Sequence, residues 1–228
     1  ALTTGRLAMY PEYLGEWDYV VAHHHGGFRS AAAALLAGRH YAISRGMALL
    51  DPTPFSDTSA IAVTLAYAEQ HRLRTIADLR NVAASLVMGG PPQFEDGRNY
   101  LPLVEQVYGF APHSYQSLDI GSQYQNLANG TIEAADVNTT DGELASGNYV
   151  LLGDPRNVFG WGQAVPVVPM KVLQAEGPAF AATINDVTAL LTTNVMRWLN
   201  GQVDNAHRDP AGVAREFLET HGVIPPGS

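Results

Sequence analysis

The clearest pattern in the chain is a short apolar run that turns abruptly polar. A turn signal at Asn129-Gly130 precedes residues 132–137, which are mostly apolar and typical of a buried strand. Residues 138–142 are then Asn, Thr, Thr, Asp and Gly. In open α/β sheets, ligands bind beyond the carboxyl ends of the strands, where short hydroxyl and amide side chains supply hydrogen bonds. The pattern therefore predicts a ligand-contacting edge after this strand.

Short apolar runs and helical patterns alternate along the rest of the chain. The strands predicted besides 132–137 are 47–50, 59–63, 85–88 and 113–118, and the main predicted helices are 30–44, 67–72, 75–84, 101–108 and 210–222. This alternation predicts the α/β class. Residues 10–15 are predicted as a loop, because Pro11 stops a helix and Gly15 permits unusual dihedral angles. An apolar stripe at helical spacing from Ile184 to Leu199 is predicted to face a core.

Composition excludes several classes of function. The chain has 228 residues, of which 46% are hydrophobic, so it is long enough for one large domain or two small lobes. A net charge of −9 with 13 Lys and Arg residues argues against a nucleic-acid surface, which needs clustered cations. The absence of cysteine excludes disulfides and thiolate chemistry. No apolar run approaches the roughly 20 residues of a membrane-spanning helix. An exported protein would therefore carry its targeting segment outside this sequence.

Several blocks, in the same order, resemble one family of transport proteins. The segment NGTIEAADVNTTDG is similar to NGEIDVADGYSTDG, residues 10–16 to YPEYTGT, and residues 46–63 to GLVLLDPAPFNNTYALAV. These are segments of the substrate-binding proteins of ABC importers for glycine betaine, choline and related osmoprotectants, the OpuAC and ProX type. The resemblance implies a two-lobe type II periplasmic-binding-protein fold with a ligand cleft between the lobes. Lobe I is expected at residues 1–60 and 165–228, and lobe II at 61–164. The family has a further strand-helix-strand unit before the position of Ala1, which this chain is expected to lack.

The resemblance also implies a binding site. The family encloses a quaternary ammonium in tyrosine rings, and the corresponding positions here are Tyr13, Ser59, Asn138 and Gly162, so that one ring of four is kept. Trp161, beside Gly162, is either a ligand platform or a hydrophobic plug. The predicted ligand-binding residues are Tyr13, Glu16, Thr58, Ser59, Arg98, Asn138, Thr139 and Trp161. No cofactor, metal or catalytic residue is expected.

The function implied is that of a solute-binding protein that closes on a small polar solute and delivers it to an ABC permease. It would work outside the cytoplasm and reach the membrane only through the permease or a lipid anchor outside this sequence. One alternative is a ligand-sensing domain fused to a permease or regulator, which would use the same fold. An enzyme is a weaker alternative. It would need carboxylate pairs among Glu12, Glu16, Asp136 and Asp141 or a metal at His23–His25, but consecutive histidine side chains diverge and are more typical of a solvated loop.

Overall fold

The structure is a computed structural model that describes residues 2, 5–24, 27–97 and 100–227. Its strands are β1 (Tyr10–Tyr13), β2 (Met47–Leu49), β3 (Ser59–Thr64), β4 (Val87–Gly90), β5 (Ser114–Ser117), β6 (Ala134–Asn138), β7 (Tyr149–Leu151) and β8 (Ala164–Pro169). Its α-helices are α1 (Leu14–Glu16), α2 (Ala31–Ser44), α3 (Leu65–His71), α4 (Pro92–Asp96), α5 (Leu101–Tyr108), α6 (Gln123–Asn129), α7 (Met170–Glu176), α8 (Pro178–Leu190), α9 (Thr193–Asn200) and α10 (Pro210–Thr220). Short 3₁₀ helices cover Ile76–Asn81 and Gly142–Ser146, and π-helical turns cover Trp17–Val21 and Gly201–Asn205. The predicted α/β class is confirmed.

The chain divides into two compact units. Unit 1 comprises Ala1–Asp57 and Gly160–Ser228, and unit 2 comprises Thr58–Phe159. The lobe limits expected from the resemblance remain a prediction. Among the residues with a described position, no helix combines the length and the apolarity needed to cross a bilayer.

Unit 1 contains a small antiparallel sheet of order β1-β8-β2. The central strand β8 contributes Val165 and Val167 to a core that also includes Trp17, Ala42 and Leu49. Trp17 is 1% exposed, and its indole N–H donates to the Gly38 carbonyl of α2 at 3.3 Å. Unit 1 is therefore organised around a buried indole that ties α2 to the sheet.

The segment predicted as a loop at 10–15 instead contains the strand β1. Pro11 lies opposite Pro166 in the ladder between β1 and β8. In an antiparallel ladder, hydrogen-bonded and non-hydrogen-bonded pairs alternate. At a non-hydrogen-bonded pair, two prolines can face each other without the loss of a ladder hydrogen bond. The loop prediction was wrong because a proline was read without its partner strand.

Unit 2 contains a mixed five-stranded sheet of order β5-β4-β6-β3-β7. Strand β4 runs parallel to β5 and β6, whereas β3 runs antiparallel to β6 and β7. Alternate residues of β3 face opposite sides, with Ile61 and Val63 in one apolar cluster and Ala60 and Ala62 in the other. Both faces of the sheet are covered, which explains why its strands are apolar runs rather than alternating patterns.

Local capping interactions define several helix ends. The Ser30 hydroxyl accepts from the backbone N–H of Ala33 at the start of α2. Thr75 and Asp78 form a capping box at the 3₁₀ helix that follows α3. Gly109 ends α5 in the left-handed conformation, with φ of 67°. These features depend on neighbours a few residues apart and can therefore be read from sequence.

The C-terminal apolar stripe does not form one core-facing helix. α8 ends at Leu190, and α9 begins afresh with Thr192 as its cap, whose hydroxyl accepts from Val195 N–H. The break interrupts the helical phase of the stripe, so Trp198 is 43% exposed. The prediction that this residue faces a core is wrong, because the periodicity was counted across a helix boundary.

Candidate functional site

The sheet of unit 1 ends in an aromatic edge, formed by Tyr13, Asp57 and Trp161. β1 ends at Tyr13, which lies opposite Ala164 at the beginning of β8. The segment before β8, which holds Trp161, therefore reaches the same end of the sheet. Glu16 follows in α1 and is exposed.

Asp57 fixes the ring of Tyr13. The Tyr13 hydroxyl donates to Asp57 Oδ2 at 2.9 Å, while the side chain remains 40% exposed. Burial of the phenol, followed by the Asp57 charge, raises the pKa of Tyr13 to about 12. The phenol is therefore neutral at physiological pH, and its ring presents a face to solvent from a fixed position.

Trp161 is held from both its backbone and its side chain. The Trp161 carbonyl accepts from Gly15 N–H at 2.9 Å, and its indole N–H donates to the Phe28 carbonyl at 3.3 Å. A Cβ atom on Gly15 would lie 3.0 Å from the Trp161 carbonyl oxygen, so this close approach favours glycine there. The half-buried indole has its polar group satisfied and offers only its ring surface. The interpretation of Trp161 as a ligand platform stays a prediction.

A cavity of about 520 Å³ lies in unit 1, with Tyr13 among its lining residues. Its lining includes Pro11 and Pro166 from the sheet and Ile184 and Val187 from α8. This lining is mostly apolar, so the cavity offers few groups for orienting a polar ligand.

The sheet of unit 2 ends in a polar edge, formed by Thr58, Ser59, Asn138 and Thr139. Because β3 and β6 are antiparallel, the start of β3 meets the end of β6, and Ser59 lies opposite Asn138. Thr139 N–H donates to the Thr58 carbonyl at 3.0 Å, and Thr58 N–H donates to Thr139 Oγ1 at 3.1 Å. The strand register thus brings these four predicted residues together.

Asp141 holds the turn that follows the polar edge. Its Oδ2 atom accepts from Asn138 N–H at 3.0 Å and from the Tyr124 hydroxyl at 2.9 Å. The turn is therefore fixed by a side chain that mimics backbone pairing. Asn138 and Thr139 gain a defined position from it.

A buried carboxyl group lies directly beneath the polar edge. Asp136 is 8% exposed, and within the described part of the chain its Oδ1 atom has no hydrogen-bond partner. Burial raises the pKa of Asp136 to about 7. A hydrogen bond from the Ser59 hydroxyl lowers this pKa, whereas the charge of Asp141 raises it further. Sequence reasoning named Asp136 only as a possible catalytic carboxylate. The available signal was a carboxylate inside an apolar run.

Two neighbours close the space around Asp136. The Tyr115 hydroxyl donates to the Pro91 carbonyl at 3.1 Å, and burial together with the Asp136 charge raises the pKa of this phenol. A Cβ atom on Gly90 would lie 2.7 Å from the Tyr115 hydroxyl oxygen and 3.0 Å from Asp136 Cβ. The absence of a side chain at Gly90 therefore makes room for this tyrosine and this aspartate.

The remaining predicted positions lie elsewhere. Arg98 and His25 fall outside the described residues. His23 adopts a left-handed backbone with φ of 54°, and the His24 ring stacks on Phe28 at 4.3 Å between centroids. Within the described residues, no group of three or more side chains is placed to hold a metal ion.

The two α/β units carry different groups at the ends of their strands. Aromatic surfaces in one unit and hydroxyl and amide groups in the other are the kinds of side chain that line small-molecule sites. Residues 1–220 match the OpuAC family model, described as the substrate binding domain of ABC-type glycine betaine transport system. The chain belongs to this family, which confirms the resemblance found in the sequence.

Related proteins support the same assignment. The glycine-betaine-binding protein of Pseudomonas aeruginosa is 29% identical over 238 residues, which cover 100% of this chain and 76% of the relative. The glycine betaine-binding protein YehZ of Escherichia coli is 26% identical over 97% of this chain and 76% of its own length. A solved structure described as a glycine betaine/carnitine/choline ABC transporter is similar with a TM-score of 0.89 and 26% identity, covering 98% of this chain and 82% of that one. The predicted two-lobe α/β class is confirmed by this likeness.

Proposed function

We propose that this chain is the extracytoplasmic solute-binding component of an ABC importer, and that its solute is a small molecule with a quaternary or otherwise cationic amine. The family to which it belongs and the glycine-betaine-binding relatives support this proposal. The protein partner would be the transmembrane permease of the importer, to which the loaded protein delivers its solute.

The observation that carries the proposal is the fixed ring of Tyr13 in the aromatic edge. A quaternary ammonium has no N–H group, so it is recognised by aromatic faces and by negative charge rather than by hydrogen bonds. The hydrogen bond to Asp57 holds the Tyr13 ring and places a carboxylate beside it. Glu16 is exposed on the short helix α1 that follows Tyr13, and its charge adds to the negative potential of this edge.

The polar edge of unit 2 is suited to hydrogen bonding with a solute. Three of the positions that carry tyrosine in the resembled family are Ser59, Asn138 and Gly162 here. Each lost cation–π contact removes up to about 2 kcal/mol. Hydrogen bonds from Ser59, Asn138 and Thr139 to a carboxylate or hydroxyl group would offset part of this loss, at about 1 kcal/mol for each neutral bond. We therefore expect recognition to depend on the polar end of the solute as well as on its cation.

Thermal unfolding in the presence of candidate solutes tests the proposal. Glycine betaine, choline and carnitine should raise the melting temperature through binding to the native state, while an uncharged sugar should not. Trp161→Ala should weaken the effect of the active solute by about tenfold in affinity, because the aromatic surface is lost.

Trp198→Ala is the matched control. Trp198 also lies in unit 1 and is 43% exposed, but it lines a separate cavity with Phe217 and His221. Its replacement should leave solute binding unchanged. Equal loss of binding in the two variants, or the absence of binding to every cationic solute, would contradict the proposal.

A further inference from the structure

Asp136 is a buried acid whose surroundings do not neutralise it. A carboxylate removed from water is normally paired with a cation or saturated with hydrogen bonds, since an unpaired buried charge is costly. Asp136 is 8% exposed, and its Oδ1 atom lacks a partner among the described residues. Its position beneath the polar edge, one strand away from Ser59, links this unusual group to the candidate site.

Among the described residues, Ser59 is the hydrogen-bond donor that acts on Asp136. From β3, the Ser59 hydroxyl donates to the carboxyl group and stabilises its charged form. From β5, the Tyr115 hydroxyl approaches, but its proton is donated to the Pro91 carbonyl. From β4, Gly90 contributes no side chain.

The charged groups that act on this cluster are acidic. Asp141, in the turn after β6, disfavours the charged form of Asp136. Glu95, on α4, acts on Tyr115 rather than on Asp136 itself. The proton on Ser59 is therefore the main stabilising contact of a charged Asp136 within the described residues.

Resting on the proposed function, we propose that Asp136 is a specificity-determining positioning residue that sets whether Ser59 donates or accepts a hydrogen bond from the solute. A hydroxyl group has one proton and two lone pairs. When Asp136 is charged, it takes the Ser59 proton, and Ser59 can only accept from the solute. When Asp136 is protonated, its own O–H donates to Ser59 Oγ, and the Ser59 proton is free to be donated to the solute.

Both forms of Asp136 are accessible near neutral pH. Burial raises the pKa of this carboxyl to about 7. Below that pH, Ser59 is a donor and suits an acceptor such as a solute carboxylate. Above it, Ser59 is an acceptor and suits a solute hydroxyl or N–H group. The site thus changes its preference between two kinds of solute rather than simply losing affinity.

Glycine betaine and choline are suitable probes for this change. Both carry a trimethylammonium group, so their contacts with aromatic and acidic groups cancel in a ratio of affinities. Glycine betaine ends in a carboxylate, which only accepts, whereas the hydroxyl of choline accepts or donates. Neither probe changes its charge between pH 5.5 and about 8.5, because an α-carboxyl group titrates near about 3.5.

Titration calorimetry with each probe from about pH 5.5 to about pH 8.5 tests the inference. The affinity ratio of glycine betaine to choline should fall by about tenfold as pH rises, the size of one hydrogen bond to a charged group. Asp136→Asn and Ser59→Ala should each make the ratio independent of pH. Asp18→Asn, which removes a buried carboxyl in unit 1, is the matched control and should keep the fall.

A fall in the ratio that persists in Asp136→Asn would overturn the inference, as would a constant ratio in the unmodified protein. A second measurement is independent of solute binding. In a carbon-13 NMR titration of labelled aspartate, Ser59→Ala should give Asp136 a higher pKa, because a bond to its charged form is removed. An unchanged pKa would equally overturn the inference. If neither probe binds at any pH while another cationic solute does, the inference fails for the betaine and choline type of solute but the proposed function stands; if no cationic solute binds, the proposed function fails, and the NMR titration still tests the contact between Ser59 and Asp136.

Discussion

Unit 1 and unit 2 end their strands in different chemistry. The aromatic edge of unit 1 presents two rings whose polar groups are already hydrogen-bonded. The Tyr13 hydroxyl donates to Asp57, and the Trp161 indole N–H donates to the Phe28 carbonyl. The polar edge of unit 2 presents hydroxyl and amide groups held by strand register and by the turn at Asp141. An aromatic contact needs only a fixed ring, whereas a hydrogen-bonding contact needs available donors and acceptors. Unit 1 provides the fixed rings, and unit 2 provides the hydrogen-bonding groups.

The units also differ in what can be observed. All three tryptophans, Trp17, Trp161 and Trp198, lie in unit 1. Each unit buries one aspartate with unpartnered oxygen atoms within the described residues, Asp18 in unit 1 and Asp136 in unit 2. Tryptophan fluorescence therefore reports on unit 1 alone, and far-ultraviolet circular dichroism reports on both.

The largest effect is expected from the core of unit 2. Ile61 is fully buried between β6 and β7 in the central part of the sheet. Ile61→Ala should lower the free energy of unfolding by about 2–5 kcal/mol, because a cavity replaces packed atoms. Urea unfolding followed by circular dichroism measures the loss.

Ile61→Val is the matched control and should cost about 0.5–1.5 kcal/mol. A loss in Ile61→Ala no larger than this would contradict the packing described here. A fluorescence transition that moves with the circular dichroism would show that the two units unfold as one cooperative block.

The next effect concerns the two buried aspartates. Burial raises the pKa of Asp18 to about 6 and that of Asp136 to about 7, from 3.8. A raised pKa means that the contribution of each group to stability is fully present below its unfolded pKa and is lost as pH rises through its folded pKa. Asp18→Asn and Asp136→Asn should therefore each raise the free energy of unfolding by about 1–3 kcal/mol more at pH 8 than at pH 4. The larger effect is expected for Asp136.

Urea unfolding at the two pH values measures this difference. Fluorescence should respond to Asp18→Asn, since Trp17 is its neighbour in the chain, and circular dichroism should respond to both variants. A stability change of the same size at both pH values would show that these carboxyl groups do not titrate in the native protein over this range.

A smaller effect is expected at the aromatic edge. Tyr13→Phe keeps the ring but removes the hydrogen bond to Asp57, whereas Tyr13→Ala removes the ring as well. Tyr13→Ala should weaken binding of a quaternary ammonium by about tenfold, and Tyr13→Phe by about threefold or less. Calorimetry with glycine betaine compares them. Equal losses would mean that the hydroxyl group, and not the ring face, makes the important contact.

The smallest effect is expected from matched helix caps, one in each unit. Asp78 accepts from the backbone N–H groups of Arg74 and Thr75, which lower its pKa, and Asp209 accepts from Gly212 N–H at 2.8 Å. Alanine at either position should cost about 1 kcal/mol. Because the pKa of Asp78 is lowered, its contribution is present above the unfolded pKa and is lost as pH falls through the folded pKa. Urea unfolding at pH 7 and at about pH 3 checks this, and a cost for Asp78→Ala that is undiminished at the lower pH would contradict it.

The sequence predicted those parts of the fold that depend on near neighbours. The helix limits predicted at residues 30, 75 and 108 fall at the Ser30 cap, the Thr75–Asp78 capping box and the left-handed Gly109, each of which is decided within one helical turn. The apolar run that becomes polar at Asn138 also marked the end of a strand correctly. The family resemblance relied on such blocks, so it could be found without coordinates.

The site could be predicted only in part. Thr58, Ser59, Asn138 and Thr139 were named from sequence, but their meeting depends on the antiparallel register of β3 and β6. Asp136 was named only within the weaker enzyme alternative, since a carboxylate in an apolar run gives no sign of the Ser59 hydroxyl that faces it.

By itself, the sequence determined the α/β class, most of the local caps and the family, because these follow from patterns a few residues long. The tertiary structure alone decided that Pro11 could lie in a strand, that Asp57 would hold Tyr13 and that Thr139 would pair with Thr58. These partners are separated by 44 residues for Tyr13 and Asp57 and by 81 residues for Thr58 and Thr139. Contacts at such distances follow from how strands pair and sheets pack, and local residue preferences do not encode them.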